Sequence, residues 1–570
     1  MQSMPSPATA ARRMVAPGHA AIEVLAANSV TVVFGLNGDH ILKLYEGLAD
    51  TPSIRHVTVK HENNAALAAE VYGRLTGRPG VALVTAGPGA LNSISGVASA
   101  YAAGAPVVHL SGAVPTGAAL ESFHGVDTED FTERAFAPVT KASQRVTRAE
   151  DILPALTRAF ALAVAGRPGP VHVEITRDVL EGEAVKLPEV LPAPLPAAEP
   201  APDLDRLFDR MRSARRPVIV AGKGAWYPPV SAALVELAEA LQAPVAHTWD
   251  GHAAMPTVHP LSLGLYRGVG SHPAVLRELE AADLVFGVGV RPGTEAHRAL
   301  VRMVGQRLAI LDAADRPDPQ QHAAAISSVP ALAATLRALA RAARPRPDAG
   351  QIWHACAEAR QQLAAGIAVE LARYQDTRPW HIGLALAALD ERMTPDLIVT
   401  SDVSNVKLWA PVQLRTFGPH SHVQAGSWGT MGYALPAALG AAMALPGRKI
   451  VALAGDAAFL MSSSDLVTLA QHRLPVVLAV HHDGRIGMIE YMQTMAGRTP
   501  YATEIGEVDY VRMAEAAGIP GRRIDDPAQL GSAWDWALAA DGPVLLEFMA
   551  GHAFPRPSVQ RFVEQGQQLE

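Results

Sequence analysis

The stretch Ile450-Val451-Ala452-Leu453-Ala454-Gly455-Asp456-Ala457-Ala458-Phe459 decides the fold when it is read together with the next thirty residues or so. An apolar run ends there in a Gly-Asp pair. A second apolar run, Pro475 to Val480, leads into His481-His482-Asp483-Gly484. The two aspartates stand 27 positions apart. That interval fits strand, helix, strand, with both carboxylates at the C-terminal ends of neighbouring parallel strands. Ligands of α/β sheets bind at those ends. Two hard oxygen donors there suit Mg²⁺ held together with a phosphate. Helix capping by Asp456 is the plainer reading of the same pattern.

The runs around this stretch extend the picture. Val81 to Thr85, Pro106 to Leu110, Val171 to Ile175, Pro217 to Val220, Leu284 to Val288, Leu397 to Thr400 and Val544 to Glu547 are short and β-rich. None alternates polar with apolar. Strands without alternation are buried on both faces, which predicts parallel sheets covered by helices, an α/β fold. Ala434 to Ala444 reads as a buried helix. Prolines at 188, 192, 194, 196, 200 and 202 read as an extended linker, and Arg344 to Gly350 as a shorter break. These breaks divide the chain into 1–186, 203–343 and 351–570. Met1 to Val15 carries Arg12 and Arg13 without an apolar core after them, and reads as a disordered tail rather than a secretion signal.

The gross numbers exclude several classes. The chain has 570 residues, 49% hydrophobic and 18% charged, enough for about three or four domains. A net charge of −7 gives no footprint for nucleic acid or an anionic membrane. No apolar run approaches the ~20 residues that span a bilayer. A single cysteine, Cys356, allows no internal disulfide and fits a reducing compartment, the cytoplasm.

Three separated segments carry a family resemblance. Gly455-Asp456, with its partner at Asp483, resembles the metal–diphosphate motif of thiamine-diphosphate enzymes. Lys60-His61-Glu62-Asn63-Asn64-Ala65-Ala66 resembles that family's cofactor-activating segment, and leads into Gly80 to Asn92. Gly426-Ser427-Trp428-Gly429-Thr430-Met431-Gly432 resembles the loop that holds the aminopyrimidine. The three occur in the family's order and span nearly the whole chain. The likeness is nearest to the acetolactate synthase and pyruvate decarboxylase branch. It implies three doubly wound parallel-sheet domains: pyrimidine-binding, central Rossmann-like and diphosphate-binding.

The resemblance also implies roles. The chemistry needs a carbanion next to a carbonyl, so the cofactor carries the electrons and the protein aims it. Glu62 would hydrogen-bond the pyrimidine and move its proton. The Gly429 carbonyl would accept from the amino group, and Met431 would wedge the cofactor into its bent shape. Asp456, Asp483 and the backbone carbonyl of Arg485 would hold Mg²⁺. Ser404, Asn405, Gly455, Ala457 and Ala458 would meet the diphosphate. His482-Asp483 departs from the family's Asn-Asn and adds negative charge beside a diphosphate. Ala458 replaces a common serine.

On the substrate side, Phe34 to Asp39 resembles the decarboxylases' loop that ends in a catalytic aspartate. Phe123 is synthase-like and His124 decarboxylase-like. Asp39 and His124 form a candidate proton-transfer pair. Ile489 stands where decarboxylases carry a late catalytic glutamate, which is synthase-like. His482, with Phe123 and Ile489, stands where the resemblance implies the substrate pocket; read instead as metal ligands, His481 and His482 find no third ligand at a zinc-like spacing.

In the central domain, Gly222-Lys223-Gly224 is a weak nucleotide signal. Gly264 to Gly270 lacks the histidine usual in the synthases' FAD loop, so FAD is disfavoured. The resulting expectation is a thiamine-diphosphate and Mg²⁺ carboligase for small 2-oxo acids, a homodimer or homotetramer with active sites between subunits. Non-ligating decarboxylation and a non-catalytic binding subunit are the alternatives.

Overall fold

The computed structural model describes residues 12–188, 191, 204–266, 271–313, 323–326 and 328–551. The chain divides into two compact units, Met1–Ala198 and Glu199–Glu570.

The first unit is built on a six-stranded parallel sheet. Its spatial order is Arg55–Thr58, Val32–Gly35, Gly80–Val84, Val107–Ala113, Pro170–Thr176 and Ala142–Val146. Every residue of the four middle strands is buried, which is why their sequences do not alternate. Leu44, Leu156 and Phe160 pack on one face with Val33, Val81, Val108 and Val173. The helix Glu62–Thr76 ends at Gly77, whose φ of 69° is the left-handed cap that glycine takes without a Cβ clash.

The tail reading fails at its end. Arg12–Val15 is a strand, paired antiparallel with Val185–Pro188. Val15 packs there with Ala20 and Leu187, and Arg13 forms an ion pair with Glu23. Four residues are too few for a hydrophobic signal in sequence; their partner lies at the far end of the same domain. The rest of the expected tail, and nearly all of the proline-rich linker, lie outside the described residues.

The second unit holds two parallel sheets. The central one runs Ser262–Leu265, Val245–His247, Pro217–Ala221, Leu284–Val288, Leu308–Ala313 and Ala323–Ile326. Chain order reverses between Pro217–Ala221 and Leu284–Val288, the position where doubly wound sheets open a crevice. Gly222 and Gly289 meet there: a Cβ on Gly222 would lie 2.3 Å from the Gly289 carbonyl oxygen. Most of the loop expected to resemble an FAD segment, residues 267–270, lies outside the described residues. The break at Arg344 to Gly350 is pinned. Arg346 is buried, donates to the Pro217 carbonyl at 3.2 Å and pairs with Asp348.

The last sheet runs Trp380–His381, Val544–Gly551, Val476–His482, Ile450–Gly455, Ile398–Ser401 and His422–Gln424, with Gly521–Ile524 added beside Val544–Gly551. The helix Ala434–Ala444 is buried along nearly all its length, as its alanines suggest. Cys356 is buried, and burial pushes its thiol up to about 11, so it is a packing residue rather than a nucleophile. Among the described residues no helix is long and apolar enough to cross a membrane.

Four buried histidines predict acid lability. Burial holds His109 at about 3 and His247 at about 4, and His172 and His252 well below the ordinary value. In the unfolded chain each would titrate near 6.5. Between those values the unfolded state binds the extra proton, so stability falls as pH drops below 6.5. The slope is about 1.4 kcal/mol per pH unit per histidine. Thermal melts from pH 7 downward should show the loss, and His109→Gln should reduce the slope. A melting temperature that stays level through this range would contradict it.

Candidate active site

In the first unit the candidate residues converge on the loop that leaves the strand Gly80–Val84. Gly87 has φ 56°, and a Cβ there would lie 2.4 Å from the His124 carbonyl oxygen. A Cβ on Gly89 would lie 3.3 Å from Glu62 Oε1. Glu62 and His124 therefore approach the same short loop, and its glycines make room for both. Glu62 opens its helix after His61, whose ring accepts from the Asn63 N–H at 3.1 Å. Its side chain is buried, and Asn92 Nδ2 donates to Oε2 at 3.0 Å. That bond fixes one carboxylate oxygen and leaves the other over Gly89.

Asp39 and His124 are not each other's nearest partners. The Asp39 carboxylate is engaged by the Arg177 guanidinium. His124, held at φ 67°, stacks on Phe123 at 4.0 Å and on His40 at 4.8 Å. His40 is 3% exposed, and its Nδ1 lies 3.9 Å from Asp39 Oδ2. Burial, then the neighbouring His124, lowers its pKa. Phe123 is 68% exposed and forms the open edge of the group. Four buried polar atoms here have no hydrogen-bond partner: His40 Nδ1, Thr85 Oγ1, Ser122 Oγ and His124 Nδ1. Buried polar groups are rarely left unpaired, so such a set calls for a ligand or water.

In the second unit the two aspartates stand as their spacing requires. Ile450–Gly455 and Val476–His482 are adjacent and parallel, with Gly455 opposite His481. Asp456 is 2% exposed. Its Oδ2 accepts from the backbone N–H groups of Asp483 at 3.0 Å and Gly484 at 2.7 Å, and its Oδ1 accepts from Ala457 at 2.7 Å. One carboxylate thus clamps the second strand's end and still has acceptor capacity on Oδ1. Burial first, and then Asp483, raise its pKa, a cost that a bound cation would remove. Asp483 accepts from the Arg485 N–H at 3.2 Å and from Asn405 Nδ2 at 3.4 Å. The Arg485 side chain pairs with Glu490 at 3.0 Å.

Ser404 and Asn405 sit at the N-terminus of the helix Asn405–Gln413. Ser404 Oγ and Asn405 Oδ1 are buried without partners, and Ser404 does not cap its own helix. Gly455 lets Ser404 come close: a Cβ there would lie 2.8 Å from the serine Cβ. A helix N-terminus with a free hydroxyl beside two carboxylates fits a diphosphate bridged by a divalent cation. Ala458 is buried and offers no hydroxyl.

The loop Gly426 to Gly432 is fastened from below. Asp402 is fully buried and accepts from the N–H groups of Val403 at 2.7 Å and Ala434 at 2.8 Å. Burial pushes its carboxyl up to about 7 against those hydrogen bonds. Gly429 has φ 74° and Gly432 φ 75°, turns that a β-carbon would strain. Met431, between them, is half-buried. Lys407 Nζ donates to the Gly426 carbonyl at 3.2 Å.

His482 points elsewhere than expected from its neighbours in sequence. Its Nδ1 is 2.7 Å from Glu547 Oε1, and Glu547 is fully buried and also held by Arg523 at 3.1 Å. The Glu547 hydrogen bond raises the His482 pKa. His481 Nε2 lies 2.9 Å from the Ala550 carbonyl. Ile489, on the helix Gly487–Met495, is 45% exposed. His40, Asn92, Asp402, Arg177 and Glu547 escape a sequence reading. Only His40 and Asn92 leave a trace, as polar neighbours of residues already singled out.

This geometry meets its relatives at three places along the chain. Residues 17–133 match the N-terminal TPP binding domain of thiamine pyrophosphate enzymes, 204–339 their central domain and 402–548 their C-terminal TPP binding domain. The chain belongs to the thiamine pyrophosphate enzyme family, in the acetolactate synthase and pyruvate decarboxylase branch. It is 32% identical to the acetolactate synthase isozyme 3 large subunit of Escherichia coli K12, over 92% of each chain. It is 30% identical to a probable acetolactate synthase large subunit of Methanocaldococcus jannaschii, over 95% of this chain and 93% of that one. An acetolactate synthase of Bacillus subtilis is 29% identical over 92% and 91%. The protein is an enzyme of the thiamine-diphosphate-dependent type.

Proposed function

We propose that this enzyme couples acyl groups from 2-oxo acids to a second carbonyl, as the names of its relatives suggest, with thiamine diphosphate and Mg²⁺ bound. Bound thiamine diphosphate supplies the electron sink that lets a carbonyl carbon act as a nucleophile. Glu62 holds and moves the proton of the pyrimidine. Asp456, Asp483 and the Arg485 carbonyl hold the cation, and Ser404 and Asn405 hold the diphosphate. Gly429 and Met431 shape the pyrimidine side. FAD is not part of the reading. The assembly is at least a dimer, with the Glu62 domain of one subunit serving the Asp456 domain of another.

The observation that carries coupling over simple release is the ion pair of Asp39 with Arg177. A carboxylate committed to a guanidinium has less freedom to protonate the new nucleophile. Ile489 supports the same reading with a hydrocarbon where a decarboxylase has an acid. Release of an aldehyde is the second reading, favoured by the unpartnered ring nitrogens of His40 and His124.

Two measurements test it. Incubation with thiamine diphosphate, Mg²⁺ and ¹³C-pyruvate, followed by NMR, should give acetolactate or another coupled product; acetaldehyde as the main product would reject coupling. Ile489→Glu should raise the aldehyde fraction by about an order of magnitude, since an added general acid is worth ~10² or more when well placed. An unchanged product ratio would show that Ile489 does not steer the outcome.

A further inference from the structure

The segment 114–130 joins the strand Val107–Ala113 to the helix Phe131–Phe136 and carries Phe123 and His124. It is longer than the ~12–15 residues at which structureless connections become uncommon, and such loops are usually functional. Leu120, Phe123 and Val126 are exposed on it. A loop that keeps these apolar side chains in water gains little from burying them, so its place has to be set by other bonds.

Those bonds close its ends. Arg145 stands on the edge strand Ala142–Val146, with its side chain 8% exposed. Its Nη2 donates to the Val114 carbonyl at 3.0 Å and its Nη1 to the Glu129 carbonyl at 2.5 Å. One guanidinium thus ties the first residue of the segment to the last but one. Nη1 also donates to Glu174 Oε1 at 3.2 Å, across a register pair of neighbouring strands. A planar fork of five N–H donors suits three acceptors spread this way; a single ammonium does not. A further tie holds the start, where the Thr116 N–H donates to Asp178 Oδ1 at 3.1 Å. Asp178 shares the short helix Arg177–Leu180 with Arg177, which engages Asp39. Between the ties the His124 backbone meets Gly87, and its ring stacks on His40.

Glu174 is fully buried, and its Oε2 has no hydrogen-bond partner. Burial raises its carboxyl to about 7, while Arg145 pulls it down and Glu133 and Asp130 push it up. The charged and titratable groups around it are Arg145 on the edge strand, Glu129 and Asp130 in the loop, and Glu133 on the helix Phe131–Phe136. His109 and His172, along the same strands, are kept neutral by burial.

We propose that Arg145 is a positioning residue: it clasps the loop that carries Phe123 and His124, and Glu174 loosens the clasp when it takes up a proton. This rests on the reading of Phe123 and His124 as substrate-side residues. Above neutrality the Glu174 carboxylate holds the guanidinium by a charge-assisted bond. As pH falls through about 7 the carboxyl becomes neutral and that bond weakens. The guanidinium is then drawn toward the more exposed Glu129 carboxylate, 3.6 Å away, and the ends of the loop are held less firmly.

Chymotrypsin, which cuts after residues such as Leu120 and Phe123, reads the loop on the enzyme loaded with thiamine diphosphate and Mg²⁺. Rates are normalised to a free peptide of sequence 115–129. Cutting of the unmodified enzyme should speed up about fivefold between about pH 8 and about pH 6, the worth of turning a charged hydrogen bond into a neutral one. No change would overturn the release without any variant. Arg145→Lys keeps the charge beside Glu174 but cannot hold both carbonyls. At the higher pH it should be cut about tenfold faster and raise KM for ¹³C-pyruvate about tenfold, with kcat and thiamine diphosphate affinity within a few-fold. Glu174→Gln keeps an acceptor for Arg145 and cannot titrate, so it should be cut at one rate across the range. Unaltered cutting in Arg145→Lys would overturn the clasp, and a pH dependence that persists in Glu174→Gln would overturn the part given to Glu174. Faster cutting with KM unmoved would confirm the clasp and reject the substrate-side reading on which the positioning role rests. Coupled and released products both report KM, so the result stands whichever one forms.

Discussion

Glu62→Gln is expected to lower turnover about 10²- to 10⁴-fold, the range for a lost proton-transfer group, with thiamine diphosphate still bound. The substitution keeps the volume of a side chain that is 8% exposed. It changes what the second oxygen can do. Asn92 Nδ2 donates to Glu62 Oε2 at 3.0 Å, so the new amide must turn its own oxygen toward Asn92. Its NH₂ group then occupies the position of Oε1 over Gly89. A donor stands where the carboxylate offered an acceptor, and the pyrimidine loses its proton partner. Titrating the variant with thiamine diphosphate by tryptophan quenching should give an affinity within a few-fold of the unmodified enzyme. Turnover close to the unmodified value would remove Glu62 from the mechanism.

The second large effect is expected on the cation. Asp456→Asn should weaken Mg²⁺-dependent thiamine diphosphate binding about 100-fold, or roughly 3 kcal/mol. Asp456 has two duties. Its Oδ2 holds the backbone N–H groups of Asp483 and Gly484, and its Oδ1, which also accepts from the Ala457 N–H, is the oxygen proposed to meet the metal. An asparagine has one oxygen. If that oxygen keeps the strand end in place, an NH₂ faces the cation. If it turns to the cation, two buried N–H groups lose their acceptor, at about 1–3 kcal/mol each. Calorimetric titration at fixed Mg²⁺ distinguishes this from unfolding, which a melting curve would show. Unaltered affinity would return Asp456 to the plain role of a helix-capping residue.

These two residues show how far the sequence reaches. The placement of Asp456 and Asp483 at the ends of neighbouring strands was legible because each apolar run closes where its strand does. The interval between Asp456 and Asp483 then fits one helical crossover. Glu62 was legible through the resemblance of its neighbours, and the unalternated strands announced parallel sheets because burial on both faces leaves no place for polar residues. The alanines of Ala434–Ala444 announced a helix packed on all sides in the same way.

Tertiary structure alone decided the rest. No local pattern pairs Asp39 with Arg177, which opens a short helix 138 positions later, or brings Asn92 to Glu62. The spacing to Asp483 did not reveal that Asp456 also clamps the backbone of the next strand. Nor did the place of His482 beside Asp483 disclose that its ring turns to Glu547, one strand over. His40 carried no signal beyond its place beside Asp39. What the sequence determined by itself was the order of buried and exposed segments, since hydrophobic burial follows residue type along the chain. What only the folded chain determined was which polar atoms are satisfied and which are left over. That depends on distances between segments far apart in sequence, and it is the leftover atoms that mark the site's chemistry.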